Sequence, residues 1–483
     1  MSEMEKIVAL DIGTRSVVGM VMEKIEGTFK LVDITSVEHG ERSMLDGQIH
    51  DILSVSNTIT AVKEQLENKH GPIEKVCVAA AGRALKTQQT LVKKSIKNQP
   101  LINEEDILHL ELSAVQQAQM ELAETLENDK STNYYCAGYS VLQYKLDGSE
   151  IGSLIDQKGE VAEVEVIATF LPKVVVESLI SALQRSHLEM DALTLEPIAA
   201  INVLIPPSMR RLNVALVDIG AGTSDIAITN YGTIIGYGMV PVAGDEITDA
   251  ISQHYLLDFP VAESVKREIT KSGKAKIVDI LGFETEVTID ELAENIEGAI
   301  DQLANEICEE ILRLNRKSPQ AVMLVGGGSL TPNLTNKIAE KLKLPNNRVA
   351  TRGTDAIQNL DRENVPDSPA FVTPIGIAIA AKQNPIHYIS VKVNDQVIRL
   401  FDIKQLTIGD SLLISDIDIK KLYGKPGMAS MVTINGETIT IPGTLGQPPT
   451  LLKNGQQANL NDPIKNGDEI FVERGKDGED PIV

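Results

Sequence analysis

The chain has 483 residues, and its 68 acidic and 45 basic residues give a net charge of −23. This excess of negative charge, without any basic cluster, disfavours binding to nucleic acid or anionic lipid. No run of about eighteen apolar residues is present, the first ten residues are too acidic for a secretory signal, and three scattered cysteines suit reduced thiols. We therefore expect a cytoplasmic protein without a membrane span.

The first strong signal is an apolar strand that runs into an Asp-Ile-Gly turn, VALDIGTRSVVGMV from Val8. Gly13 can take the positive φ of a tight turn and leaves a backbone N–H open to an anion. Thr14 adds a hydroxyl and Arg15 a permanent positive charge. The carboxylate of Asp11 can hold the water shell of a Mg²⁺ ion on phosphate. The pattern indicates either a phosphate clamp or an ordinary hairpin turn.

Residues 84 to 171 contain a helical pattern between extended segments. The helix is predicted from Asn103, a suitable N-cap, to about Glu127, and strands are predicted in YYCAGYSVLQYKL and EVAEVEVIATFL. This order predicts a small mixed α/β subdomain.

A second Asp-Ile-Gly turn lies about two hundred residues after the first, in VALVDIGAGTSDIAI from Val214. In this turn Asp218, Gly220, Gly222 and Thr223 correspond to the residues of the first turn. We expect the hydroxyl of Ser224 to lie beside them. Two copies favour a duplicated domain whose halves face one nucleotide bound with Mg²⁺, the only metal that the sequence indicates.

A third element begins at Ala321, where the strand AVMLV passes through Gly326, Gly327 and Gly328 towards a helix near Thr331 and Pro332. Glycines between a strand and a helix allow a base or ribose to approach the backbone closely. Many such turns also carry glycines without any ligand.

Two further segments, EPIAAINVL from Glu196 and PIGIAIAAK from Pro374, combine small residues with an apolar face. They predict two helices that cross closely.

In this order, the five segments resemble the actin, DnaK-chaperone and sugar-kinase ATPase superfamily over roughly residues 6 to 383. The insertion at residues 84 to 171 is similar to that of the FtsA family of bacterial division proteins. The resemblance implies an α/β fold of two actin-like lobes with duplicated five-stranded mixed sheets that close over ATP. It also implies a small SHS2-like insertion in the first lobe.

The resemblance also implies roles for single residues. Glu196 would polarise the attacking water, although a helix-terminal carboxylate is the alternative. Glu263 and Lys266 would contact ribose and adenine, or form a solvated ion pair. Gly244 would reach the phosphates or only begin a helix. Asp11 and Asp218 would hold Mg²⁺ through water.

The C-terminal hundred residues depart from that family, whose members usually end in a linker and a basic amphipathic membrane helix. Here the sequence alternates in YISVKVNDQVIRLF and SMVTINGETITI. The turns of LTIGDSLLI and IKNGDEIFV each precede a predicted strand. We expect one or two β-grasp-like or small barrel units that contact an unknown protein.

These patterns divide the chain into two lobes, an insertion and a terminal domain. The expected ranges are 1–83, 172–209 and 366–384 for the first lobe, 84–171 for its insertion, 210–242 and 320–365 for the core of the second lobe, 243–319 for its small subdomain, and 385–483 for the β-rich interaction domain.

The resulting functional hypothesis is an FtsA-like, ATP-binding assembly or recruitment factor of bacterial division or envelope machinery, with slow hydrolysis at most. By resemblance, its partners would be further copies of the chain in a filament and a division protein such as the tubulin-like FtsZ. A partner would recruit it to the inner face of the membrane. A PilM-like pilus adaptor, a metabolite kinase and a chaperone are alternatives.

Overall fold

The computed structural model describes residues 5–25, 27–40, 43–45, 47–80, 85–97, 100–125, 134–383, 388–401, 406–415, 417, 419–435 and 437–481. The chain forms two compact units, residues 1–386 and residues 387–483. The boundaries predicted at residues 84 and 385 lie outside the described residues. None of the helices in the described ranges combines the length and apolar character needed to cross a bilayer.

The first half of unit 1 begins with strands and continues through the insertion to a short helix. Its elements are β1 (Glu5–Ile12), β2 (Ser16–Ile25), β3 (Thr28–Glu38), β4 (Met44–Leu45), β5 (Gln48–Ile49), α1 (Ile52–His70), β6 (Lys75–Ala80), β7 (Lys86–Ser95), α2 (Glu104–Thr125), β8 (Tyr134–Leu146), β9 (Ser149–Ile151), β10 (Val161–Pro172), α3 (Lys173–Arg185), β11 (Glu189–Leu195) and α4 (Glu196–Leu204).

The second half of unit 1 repeats the pattern of strands followed by helices. Its elements are β12 (Val214–Ile219), β13 (Ser224–Asn230), β14 (Thr233–Val240), α5 (Gly244–Tyr255), α6 (Phe259–Ser272), β15 (Lys274–Val278), β16 (Glu284–Thr288), α7 (Ile289–Asn295), α8 (Glu297–Asn315), β17 (Ala321–Val325), α9 (Leu334–Lys341), β18 (Val349–Thr351), β19 (Leu360–Asp361) and α10 (Val372–Gln383).

The sheets of the two lobes share one topology. The first has the order β11-β6-β1-β2-β3 with the two-residue β19 at its edge, and the second has the order β14-β13-β12-β17-β18. In each lobe an antiparallel hairpin, β1–β2 or β12–β13, pairs on its other side with a parallel strand, β6 or β17. The predicted α/β fold class with two actin-like lobes is confirmed.

The insertion forms a separate four-stranded sheet with the order β7-β10-β8-β9, and α2 packs across it. The side chain of Asn103 accepts a hydrogen bond from the N–H of Asp106 at 2.9 Å, so the predicted N-cap is confirmed. The end of the helix predicted near Glu127 lies outside the described residues. The insertion also contacts the second lobe, because the hydroxyl of Thr233 donates to the carbonyl of Val141 at 2.8 Å.

Helices α4 and α10 cross closely between the two sheets, as their small residues predict. At Gly376 of α10, a Cβ atom would lie 2.5 Å from the carbonyl oxygen of Ala199 in α4. Only glycine fits this crossing without displacing backbone. The crossing fixes Glu196, at the start of α4, relative to Thr373, at the start of α10.

Unit 2 contains one mixed five-stranded sheet and a separate hairpin. Its elements are β20 (Tyr388–Val393), β21 (Gln396–Phe401), α11 (Ile408–Ile414), α12 (Ile419–Leu422), β22 (Ser430–Ile434), β23 (Glu437–Ile441), β24 (Thr450–Lys453), β25 (Gln456–Gln457) and β26 (Glu469–Glu473).

The sheet of unit 2 has the order β21-β20-β26-β24-β25, with β20 parallel to β26 and α11 packed against β20 and β21. This is a β-grasp arrangement. The prediction of a strand in LTIGDSLLI is wrong. Ile408–Ile414 is helical, and Ile408 and Leu412 are buried against the sheet. The strand predicted after the turn in IKNGDEIFV is confirmed, because Glu469–Glu473 forms β26.

We expect Gly376→Ala to lower the melting temperature of unit 1 by about 3 °C or more, because its methyl group must displace α4. The matched control is Gly298→Ala in α8, where a Cβ atom meets no atom within 4 Å. That change should be neutral or stabilising, because alanine favours the helix. Thermal unfolding of both variants checks the prediction, and equal effects would contradict the close crossing.

Candidate functional site

The two lobes of unit 1 enclose a cleft of about 880 Å³. This volume is within the range of small-molecule sites. Both Asp-Ile-Gly turns, the glycine triplet, the start of α4 and parts of α5 and α6 line the cleft. Segments that are far apart in the sequence therefore meet at one place.

The turns between β1 and β2 and between β12 and β13 are closed by equivalent backbone hydrogen bonds. The N–H of Gly13 donates to the carbonyl of Ser16 at 3.0 Å, and the N–H of Gly220 donates to that of Thr223 at 2.9 Å. The expectation of an open glycine N–H is therefore wrong, because this group closes the turn. The expected positive φ is also absent at Gly13, Gly220 and Gly222.

Gly222 does not line the cleft, but it allows the two turns to contact each other. A Cβ atom there would lie 2.9 Å from the side chain of Thr14 in the other turn. The absence of a side chain lets the two turns approach across the cleft. Ser224 is fully buried, and its hydroxyl donates to the carbonyl of Val242 at 2.7 Å. Contrary to the prediction, this hydroxyl therefore does not face the cleft.

Carboxylates gather at the floor of the cleft. Burial, followed by the charge of Asp218, raises the pKa of Asp11 to about 7. Burial also raises the pKa of Asp218 to about 6, although a hydrogen bond from the Thr373 hydroxyl opposes this shift. Burial, then the charges of Asp225, Asp11 and Asp218, raises the pKa of Glu196 well above its ordinary value. Ionisation of these carboxylates at the floor of the cleft therefore costs free energy.

An ion-pair network crosses the mouth of the cleft. Arg15 of the first lobe pairs with Glu263 of α6 and, at 3.0 Å, with Glu38 at the end of β3. Arg267 of α6 contacts the same two carboxylates, at 3.1 Å and 3.0 Å. Arg15 was expected at the phosphates, but here its guanidinium joins the two lobes through these carboxylates.

Lys266 lies deeper in the cleft and links α6 to α5 through hydrogen bonds. Its ammonium group donates to the carbonyl of Gly244 at 2.9 Å and to the hydroxyl of Thr248 at 2.6 Å, and it pairs with Glu263 at 2.6 Å. The N–H of Gly244 in turn donates to the carbonyl of Gly220 at 3.1 Å. Gly244, Glu263 and Lys266 are thus tied to the second turn.

The glycine triplet packs directly on the second turn. Gly326 has φ +80°, and a Cβ atom there would lie 2.2 Å from a carboxylate oxygen of Asp218. A Cβ atom at Gly328 would lie 2.4 Å from the side chain of Ile219, whereas at Gly327 none is within 4 Å. The helix expected near Thr331 begins later, at Leu334.

All the predicted site residues except Gly222 and Ser224 line the cleft. They are Asp11, Gly13, Thr14, Arg15, Glu196, Asp218, Gly220, Thr223, Gly244, Glu263, Lys266, Gly326, Gly327 and Gly328. Sequence reasoning missed Glu38, Arg267, Thr373 and Asp225. Thr373 falls in a helix recognised only by its small residues, and Asp225 follows the second turn as an ordinary strand residue, accepting from Thr223 at 3.1 Å.

A profile of the family described as Cell division protein FtsA matches residues 215–376. The Cell division protein FtsA of Bacillus subtilis is 25% identical over 400 residues, covering 80% of this chain and 85% of that protein. Its counterpart in Pseudomonas aeruginosa is 25% identical over 405 residues, covering 80% of this chain and 92% of that protein.

The solved structure of a PilM-PilN type IV pilus biogenesis complex superimposes with a TM-score of 0.58. The sequences are 17% identical, and the match covers 77% of this chain and 97% of that chain. This likeness supports the fold alone. The chain is therefore similar to the Cell division protein FtsA over about four fifths of its length, and it has an actin-like fold.

Proposed function

We propose that unit 1 binds ATP with Mg²⁺ in the cleft, and that the chain is a nucleotide-dependent assembly or recruitment factor in bacterial cell division. The observation that carries this proposal is the meeting of two equivalent Asp-Ile-Gly turns and a glycine triplet in one cleft. This arrangement gives both ends of a nucleotide a place to bind.

The donor set at the floor suits a hydrated divalent cation. The raised pKa values of Asp11 and Asp218 show that ionising these two buried carboxylates costs free energy. A bound cation would offset that cost. Among the described residues, no three acidic, histidine or cysteine side chains are arranged to hold a metal directly. Contact through water is therefore the arrangement that fits Mg²⁺. When bound, Mg²⁺ would neutralise charge on the phosphates.

The other side chains have separate tasks in this proposal. The hydroxyl of Thr14 would donate to a phosphate oxygen. The hydroxyl of Thr223 donates to Asp225 at 3.1 Å in the ligand-free protein, so it would have to turn from that carboxylate to reach a phosphate. Lys266 supplies positive charge beside Gly244. Glu196, with its raised pKa, is a comparatively basic carboxylate when ionised, so it would orient a water molecule and accept its proton.

The role in cell division rests on similarity to the FtsA proteins. By that resemblance, the partners would be further copies of this chain and a tubulin-like division protein such as FtsZ. Recruitment to the inner face of the membrane would then depend on a partner. Unit 2 would contact a further protein. An adaptor without assembly, like PilM, is the second candidate because the actin-like fold also occurs in that complex.

We expect Asp218→Ala to weaken Mg-ATP binding by about ten- to a hundredfold, since the variant loses a charged group at the floor. Titration calorimetry of the full chain measures this loss. The control is Asp249→Ala on the exposed side of α5, which should leave affinity unchanged. Equal affinity of wild type and Asp218→Ala would refute the site.

We expect Glu196→Gln to retain Mg-ATP binding and to lower any ATP hydrolysis by about a hundredfold, because the amide cannot accept a proton. Single-turnover hydrolysis, measured beside binding, separates the two effects. Unchanged turnover would leave Glu196 as a helix-terminal carboxylate only.

The raised pKa values of Asp11 and Asp218 predict a pH dependence of stability. Between about pH 4 and pH 7 the folded state holds more protons than the unfolded state, so ligand-free stability should fall as pH rises through this window. Asp11→Asn should flatten that fall, whereas Asp249→Asn should not. Melting temperatures from pH 5 to pH 8 check this, and parallel curves for wild type and Asp11→Asn would contradict it.

A further inference from the structure

His39, the residue that follows β3, lies behind the first Asp-Ile-Gly turn. Its ring nitrogen Nε2 is 3.1 Å from the carbonyl oxygen of Gly13, and Nδ1 is 3.0 Å from the hydroxyl of Thr58 in α1. Its backbone N–H donates to the carbonyl of Arg15 at 3.0 Å. Gly13 and its neighbours in the turn line the cleft, whereas His39 and Thr58 do not. The imidazole therefore contacts the turn from outside the cleft.

The hydrogen bonds of the ring determine which nitrogen carries the proton. A carbonyl oxygen can only accept, so Nε2 donates to Gly13. In the neutral ring, Nδ1 then accepts from the hydroxyl of Thr58, whose other acceptor, the carbonyl of Ser54, is farther away at 3.3 Å. Burial lowers the pKa of His39 and outweighs the bond to Gly13, which raises it, so the ring is neutral at pH 7. The buried Thr58 thus fixes the orientation of the imidazole.

The bond to Gly13 orients the peptide group between Gly13 and Thr14. A trans peptide is planar, and its C=O and N–H point in opposite directions. Because His39 holds the carbonyl outside the cleft, the N–H of Thr14 points the other way, towards the cleft that Thr14 lines. Among the described residues, no atom accepts a hydrogen bond from this N–H. The N–H of Thr14 is therefore an open donor.

The second turn has the same arrangement with a different donor. The N–H of Gly244, at the start of α5, donates to the carbonyl of Gly220 at 3.1 Å. Ala221, which corresponds to Thr14, lines the cleft, and its N–H likewise has no acceptor within the part of the chain that the structure describes. The first turn thus uses an imidazole where the second uses a backbone N–H.

We propose that His39 is a positioning residue for phosphate binding. By holding the carbonyl of Gly13 outside the cleft, it points the N–H of Thr14 at a phosphate oxygen of the nucleotide. This inference rests on the proposed function, because it needs a phosphate-bearing ligand in the cleft. A backbone N–H that faces an anion makes a charge-assisted hydrogen bond, which is stronger than a neutral one. Loss of the His39 bond should therefore weaken the binding of phosphate and leave the binding of base and ribose unchanged.

Substitutions at His39 test the proposal by titration calorimetry of the full chain. His39→Leu removes the hydrogen bond and should weaken Mg-ATP binding by about tenfold. His39→Gln should stay within about threefold of the wild type, because its amide nitrogen can replace Nε2 as the donor to Gly13. Adenosine, which has no phosphate, should bind the wild type and both variants equally.

His70→Leu is the matched control for these variants. His70 is also half-buried, and its Nε2 lies 3.0 Å from a carboxylate oxygen of Asp33, but neither residue lines the cleft. This variant should bind Mg-ATP like the wild type. A His39→Leu variant with wild-type affinity, an equal loss for adenosine, or a His39→Gln variant as weak as His39→Leu would overturn the role of His39. A wild type that binds no Mg-ATP would instead refute the proposed function, and this inference with it.

The tautomer of His39 provides a second test that needs no ligand. Magnetic resonance of the ligand-free chain with isotope-labelled histidine reports which ring nitrogen carries a proton, and His39→Gln assigns the signal. At about pH 8, where the ring is neutral, we expect a proton on Nε2 and none on Nδ1. Thr58→Val should shift the Nδ1 resonance, because it removes the hydroxyl that donates to this atom. A proton on Nδ1 alone would overturn the proposal whether or not ATP binds, because Nε2 could not then donate to Gly13.

Discussion

The burial of several carboxylates at one place is the constraint around which unit 1 is organised. Asp11 and Asp218 come from equivalent turns of two separate sheets, and Glu196 and Asp225 add negative charge nearby. Burial makes this charge costly, since a low-dielectric site weakens the solvation of ions. The turns and helix ends must therefore hold these groups in place although burial opposes their ionisation.

Several close contacts do this holding. Gly222 lets one turn approach Thr14 of the other, Gly326 lets the glycine triplet rest against Asp218, and Gly376 lets α10 cross α4. The Thr373 hydroxyl then donates to Asp218. At the mouth, Arg15 and Arg267 share Glu38 and Glu263 across the lobes.

The two turns, the triplet and the crossing helices could be predicted because each leaves a local sequence pattern that depends on glycine, aspartate or small residues. Glu38 and Arg267 could not be identified, because the ion pair between them joins residues 229 positions apart and leaves no local sequence pattern. The φ values of Gly13, Gly220 and Gly222 were mispredicted, since none of the three has a left-handed backbone. Gly222 instead allows close packing against Thr14. In unit 2, alternation in SMVTINGETITI correctly indicated strands, but it could not show that they form a separate hairpin outside the described hydrophobic core of that unit.

The measurement that tests nucleotide-dependent assembly most directly is sedimentation of the purified full chain with and without Mg-ATP, with negative-stain imaging of the pellet. The proposal predicts that the chain pellets as filaments with Mg-ATP and stays in the supernatant without it. Protein that binds Mg-ATP yet remains in the supernatant under both conditions would contradict assembly and favour a nucleotide-binding adaptor.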